Sequence, residues 1–166
     1  MAESIIERLH RWSSCDVSDG LSKLGHVHGG FLEGLVMQSP AYRAGKTKIV
    51  GQAFTVKFAP KADTAAPKVK GNYVFTRGTG TAAGGATCFP SEINVPVKLQ
   101  SLIQDTVVNP GDYIVADLDG VVCLPKELAE KVLEIIPGIV SADERCAEAI
   151  RNGTSVEEAF KTYRGK

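Results

Sequence analysis

Asp117 and Asp119 bracket a single leucine in Asp117-Leu-Asp-Gly120, close enough for two carboxylates to share a hard cation such as Mg²⁺. Aspartate is also common in tight turns, where its side chain bonds the local backbone, and spacing alone favours that turn reading. Asp143 and Glu144 are adjacent and followed by Arg145 on an expected helix, a pattern that reads as a solvated face. His26 and His28 flank Val27, and on extended chain both rings would face one side and could bind a metal. No carboxylate lies beside them to complete a ligand set, so a surface or packing role is favoured. Gly78-Thr-Gly-Thr-Ala-Ala83 can be fitted to G-x-G-x-x-A, the dinucleotide fingerprint that seats a pyrophosphate on a helix N-terminus. No strand-helix-strand unit surrounds it, so a loop offering amides to a carboxylate fits better, and a structural bend better still. No serine, Ser18 included, sits in the strand-turn-helix G-x-S-x-G setting of a hydrolase nucleophile.

Composition narrows the classes further. The chain has 166 residues, 43% of them hydrophobic, which is enough for one domain with a core and too short to need two. Nineteen Lys+Arg balance nineteen Asp+Glu, so no global field would draw the chain onto nucleic acid or an anionic membrane. A small ligand recognised locally suits that balance. Cys15, Cys88, Cys123 and Cys146 are far apart and form no C-x-x-C or Cys/His cluster, which points to free thiols in a reducing compartment. The opening MAESIIERLHRW mixes charges with apolar residues, unlike a signal peptide, and no stretch approaches the roughly 20 apolar residues of a membrane span. A cytoplasmic protein is expected.

The elements that must position these groups follow from periodicity. Ile5, Ile6, Leu9 and Trp12 recur at helical spacing over residues 3 to 12. A second helix is expected over SSCDVSDGLSKLG, capped by Asp16 or Ser18, with Val17, Leu21 and Leu24 on one face and Gly25 ending it. Residues 26 to 47 read mostly as loop. The alternation in IVGQAFTVKFAP predicts one half-buried strand from Ile49 to Pro60, with Phe54, Val56 and Phe58 on one side. Residues 61 to 71 read as a connection and 78 to 90 as a glycine-dense loop. Asn94 to Gln100 is a short strand candidate. Thr106 to Val108 lead into a tight turn at Asn109-Pro-Gly-Asp112, and Tyr113 to Ala116, a turn and Val121 to Leu124 read as strand, turn and strand. Pro125 opens a helix striped by Leu128, Val132, Ile135 and Ile136, and two further helical stretches cover roughly 139 to 151 and 155 to 163.

Several of these segments together resemble the RraA-like family, which contains 4-hydroxy-4-methyl-2-oxoglutarate aldolases and oxaloacetate decarboxylases. They are Cys15-Asp-Val-Ser-Asp-Gly-Leu21, Val50-Gly-Gln-Ala-Phe-Thr-Val56 and, most specifically, the run from Val108 through the PGD turn and the D-x-D-G turn to Pro125. The likeness is best to fungal members. It covers residues 1 to 166 as one domain in two blocks, 1 to 74 and 75 to 166. The resemblance implies an α/β fold, a β/α sandwich akin to swivelling phosphohistidine domains, with flanking N- and C-terminal helices. It also implies a homotrimer or hexamer with sites between subunits.

In the family's enzymes Mg²⁺ or Mn²⁺ steadies a pyruvate enolate as a C–C bond of a small 2-oxo acid breaks. The family's G-G-L segment and its D-G-x-x-R-D segment, which bind substrate and metal, have no counterpart in this sequence. The junction near Val74-Phe75 therefore reads as an internal deletion, and Arg77, with no aspartate after it, does not replace the missing arginine. One family position has a match: an acidic residue supplied by a neighbouring subunit's C-terminal helix corresponds to Glu144, or alternatively Asp143, and would order metal-bound water. The resemblance thus implies a metal-dependent pyruvate lyase, impaired in this chain, with a non-catalytic binding protein acting through its oligomeric surface as the alternative. A third reading is a shortened product without a stable fold, because lost central strands would expose sheet edges.

Overall fold

The computed structural model describes residues 3–37, 44–67 and 87–165. The Val74-Phe75 junction, Arg77 and the Gly78 to Ala83 run lie outside the described residues. Helix α1, Ile5–Leu9, starts at Ser4, whose hydroxyl accepts from the Glu7 amide while the Glu7 carboxylate accepts from the Ser4 amide. Helix α2, Ser14–Lys23, repeats the device with Ser13 and Asp16. The sequence expectation placed the cap at Asp16 or Ser18. The cap is Ser13, because a capping box needs its hydroxyl three residues before its carboxylate, and Asp16 fills that second role. Val17 and Leu21 are buried as expected, whereas Leu24, just past the helix, is exposed.

The sheet at the centre has three antiparallel strands in the order β1, β6, β7, where β1 is Ile49–Gln52, β6 is Tyr113–Ala116 and β7 is Val121–Leu124. Gln52 is opposite Tyr113, and Tyr113 is opposite Leu124. Strand alternation sends successive side chains of β6 and β7 into two separate cores. Tyr113, Val115, Val122 and Leu124 pack with Leu9, Val17, Leu21, Val132 and Ile136 under the helices. Ala116, Val121 and Cys123 pack with Leu32 on the opposite side. An isolated bridge between Phe31 and Val122, with the Leu32 amide on the Val121 carbonyl at 2.8 Å, ties the chain after α2 onto β7.

Two glycines permit this close packing. A Cβ on Gly20 would sit 3.0 Å from Val132 Cγ1, so the helix carrying Val132 approaches where α2 has no side chain. Gly30 has φ +70°, and a Cβ there would lie 2.3 Å from the Cys123 carbonyl oxygen.

Helix α3 runs unbroken over Ala129–Arg151 after a single 3₁₀ turn at Lys126–Leu128 that follows Pro125. Two helical stretches were expected here, one striped as far as Ile136 and the next from roughly residue 139 to 151. Pro137 lies inside α3, and the buried Val132, Leu133, Ile136 and Cys146 before and after it hold one helix together across the missing N–H. Helix α4, Val156–Arg164, is capped by Ser155, whose hydroxyl accepts from the Glu158 amide at 3.2 Å.

The expected single strand from Ile49 to Pro60 is two strands in two sheets. After β1, Ala53 exchanges bonds with the Asn109 to Asp112 turn: its amide donates to the Asp112 carbonyl and its carbonyl accepts from Gly111. The chain then starts β2, Val56–Pro60, which pairs with β3, Cys88–Ile93. The expected apolar face is also reversed, since Thr55 and Ala59 are buried while Phe54 and Phe58 are exposed. The end of the expected glycine-rich loop belongs to β3 from Cys88 onward, and the Asn94 to Gln100 candidate contracts to β4, Val97–Lys98, paired with β5, Val107–Val108.

Candidate functional site

The Asp117 to Gly120 turn joins β6 to β7 and meets the first turn of α2. Asp117 accepts from the Ser14 amide at 2.7 Å, the Ser14 hydroxyl at 2.6 Å and the Asp119 amide at 3.1 Å. Part of this is the local turn bonding expected of aspartate; the Ser14 contacts span 103 positions, and no sequence signal marked them. Burial would raise the Asp117 pKa, but the Ser14 bonds, the Asp119 amide and the Lys48 charge together hold it below the usual carboxylate range.

Cys15, Ser18, Asp19, Phe31, Asp119 and Gly120 line a small cleft of about 180 Å³ beside this turn. Partial burial, then the nearby Asp119 and Asp117, push the Cys15 thiol upward, so it stays protonated and is a poor nucleophile. The site can present carboxylate oxygens and hydroxyls, and it lacks an activated attacking group.

A second carboxylate, Asp112, is buried beneath the PGD turn, 1% exposed. It accepts from the Asn109 amide at 2.8 Å and the Lys126 amide at 3.2 Å, which fastens the turn to the start of the 3₁₀ segment. Cys123 faces it at 3.7 Å, and burial, with the Asp112 charge, pushes that thiol up to about 12. Sequence reading saw Asp112 only as a turn residue. Lys48 was missed altogether: its ammonium donates to the carbonyls of Leu9 at 3.0 Å, His10 at 2.9 Å and Trp12, closing the C-terminal end of α1.

The remaining sequence candidates are dispersed. His26 contacts the Val27 carbonyl at 3.1 Å, and His28 is exposed with φ 56°. Asp143 is held by Arg164 of α4, with Nη2 to Oδ1 at 2.5 Å and Nε to Oδ1 at 2.7 Å. Glu144, one residue on, is exposed on α3. A divalent ion needs several oxygen donors converging on one point. Among the described residues no group of three or more His, Cys, Asp or Glu side chains is placed to hold one. The described residues therefore do not fit a resident divalent ion. No helix among them is long and apolar enough to cross a membrane.

Comparison with known proteins sets these features beside a known family. The RraA-like family, described as Aldolase/RraA, matches residues 63–123. The chain is 33% identical over 116 residues to a protein of Halalkalibacterium halodurans named "Putative 4-hydroxy-4-methyl-2-oxoglutarate aldolase", covering 70% of this chain and 53% of that one. It is 29% identical over 93 residues to Protein DlpA of Legionella pneumophila, covering 55% of this chain and 14% of that one. The chain thus spans about half the length of the first of these relatives and a small part of the second.

Among solved structures, an uncharacterized protein from Pseudomonas syringae pv. tomato matches with a TM-score of 0.78 at 22% identity, over 98% of this chain and 95% of that one. Streptomyces coelicolor RraAS2, titled an unusual member of the RNase ES inhibitor RraA protein family, matches at 0.65 and 19% identity, over 84% of this chain and 94% of that one. Both likenesses concern the fold, and the first shows nearly all of a crystallised chain in this arrangement. With its helix-flanked sheet, its PGD and D-x-D-G turns and these matches, the chain resembles the RraA-like family and has an α/β fold like that of the family's solved member.

Proposed function

We propose that the chain is a lyase that releases pyruvate from a 4-hydroxy-2-oxo acid or from oxaloacetate. In this reading it works in the cytoplasm as a single-domain homotrimer or hexamer with Mg²⁺ or Mn²⁺. The observation that carries the reading is the 33% identity over 116 residues to the aldolase-named relative. Donors for such an ion would have to come from beyond the groupings the described residues make. What this chain offers is a carboxylate on α3. Asp143 is committed to Arg164, whereas Glu144 is exposed, so Glu144 is the better placed of the two to reach a neighbouring copy's site.

Pyruvate release from oxaloacetate and from 4-hydroxy-4-methyl-2-oxoglutarate, followed with and without Mg²⁺ or Mn²⁺ against protein-free controls holding the same ion, tests the reading. Turnover above those controls, abolished by a chelator, supports it; rates equal to the controls overturn it for this chain. Replacing Glu144 with Gln is expected to lower such turnover by about 10- to 100-fold.

A second reading, a non-catalytic binding protein acting through an oligomeric surface, is favoured by one observation. The described residues gather no metal-holding group. The fold shared with RraAS2 is compatible with it. Capture of a ribonuclease or a helicase by a catalytically silent oligomer would establish this alternative.

A further inference from the structure

Asn152-Gly153 is the one place in the sequence where glycine follows asparagine. The pair can modify itself. The Gly153 nitrogen, unhindered by a side chain, can attack the side-chain carbonyl carbon of Asn152; ammonia leaves as a succinimide ring closes, and water opens the ring to aspartate or isoaspartate. Both residues are exposed, so water reaches them. Ring closure needs the Gly153 nitrogen free and turned toward the Asn152 side chain.

The folded chain denies both conditions. Gly153 has φ +94° and follows Asn152, the cap of α3, in a Schellman motif: its amide donates to the Ile150 carbonyl and the Thr154 amide to the Ala149 carbonyl, both at 3.0 Å. Asn152 has ψ 9°, which points the Gly153 nitrogen away from the Asn152 side chain. Helix α4 starts three residues later and pins this junction, but its own hold is light. Among the residues of α4, Ala159 alone is buried, its carbonyl accepting from the Cys146 thiol at 3.5 Å. The other contacts lie at the surface: Arg164 pairs with Asp143 and covers the Phe160 ring at 4.6 Å, and Arg145 covers the Tyr163 ring at 5.5 Å. A segment fastened this way opens locally before the whole chain unfolds.

We propose that Asn152 is a deamidation site that the Schellman motif holds shut and that undocking of α4 opens. The change runs one way. Isoaspartate adds a methylene to the main chain, so the motif cannot close again in register, and either product places a negative charge at the carbonyl end of α3, where it is repelled. The inference is independent of the lyase reading, since neither Asn152 nor Gly153 is assigned to catalysis.

Incubation of the full chain at mildly alkaline pH, followed by mass spectrometry of the tryptic peptide 152–161, provides the test. Asn152 is expected to convert at least about tenfold more slowly in the folded protein than in the same chain held in denaturant. Ala159→Asp, which forces α4 off its seat, should raise the folded-state rate at least about fivefold. Arg164→Ala removes only surface contacts, should raise the rate less, and replaces the first variant if that one does not fold. Equal rates in the folded and denatured wild type overturn the proposal. So does a variant whose α4 amides exchange faster with solvent while Asn152 converts no faster, or one in which Asn152 accelerates with α4 still protected.

Discussion

The helix-covered side of the central sheet and the small sheets built from β2 to β5 treat apolar residues differently. On the helix-covered side, Leu9, Val17, Leu21, Leu124, Val132 and Ile136 are sealed by α1, α2 and α3. At the end built from β2 to β5, Phe58, Ile93, Val107, Leu102 and Ile103 are exposed. Burial of a large aliphatic side chain contributes about 1.5–3 kcal/mol, so stability is concentrated on the helical side. The other end keeps its apolar surface available. Secondary structure follows the same division: the helical side holds a 23-residue helix, whereas β4 and β5 are two residues each.

The sharpest way to break this comparison is to cut into the sealed side. Leu124→Ala is expected to lose about 2–5 kcal/mol by chemical denaturation; a loss below about 1 kcal/mol would mean that the helical core is not where stability resides. Gly30→Ala should cost about 1–3 kcal/mol, because φ +70° strains any other residue and the added Cβ meets the Cys123 carbonyl. The Asp117 contact at the α2 start should be worth less, about 1 kcal/mol for Ser14→Ala.

That contact should also show itself in the pH dependence. The folded-state pKa of Asp117 is lowered, so the folded protein binds this proton less readily than the unfolded chain does. Its contribution is complete above the ordinary value near about 3.9 and is lost as pH falls through the folded value. Acid titration of stability should therefore drop less steeply below about pH 4 in Ser14→Ala than in the wild type. At the bottom of the order, Leu102→Ala on the open end should change stability by no more than about 0.5 kcal/mol. A larger loss would show that the loop tip is buried in the working protein.

How much of this was legible depended on whether local chemistry or distant contacts decided the outcome. Tyr113 to Ala116 and Val121 to Leu124 were readable residue for residue, because Pro110-Gly111 and Asp117 to Gly120 fix the turns and both runs are apolar throughout. The Ile49 to Pro60 stretch misled because a period of two says nothing about which sheet a residue joins. The Asn109 to Asp112 turn captures Ala53 from far along the chain and splits the run. The gap expected between Ile136 and residue 139 misled in the opposite sense, since burial on both sides of Pro137 keeps one helix running through it.

The candidate site was less legible than the fold. Asp117 and Asp119 were singled out correctly as a turn pair, but the link to Ser14 spans 103 positions. Nothing in the neighbourhood of Asp143 and Glu144 distinguished them, and it is Arg164, on another helix, that engages one of the two.

Lys48 carries a consequence for how the folded chain meets reagents. An ammonium has three protons, and the carbonyls of Leu9, His10 and Trp12 accept from this one. Acylating agents that label surface amines such as Lys46 and Lys61 in the intact protein should pass over Lys48 until α1 detaches. Its modification would then record the parting of the first helix from the sheet, a clock for the opening of that corner of the molecule.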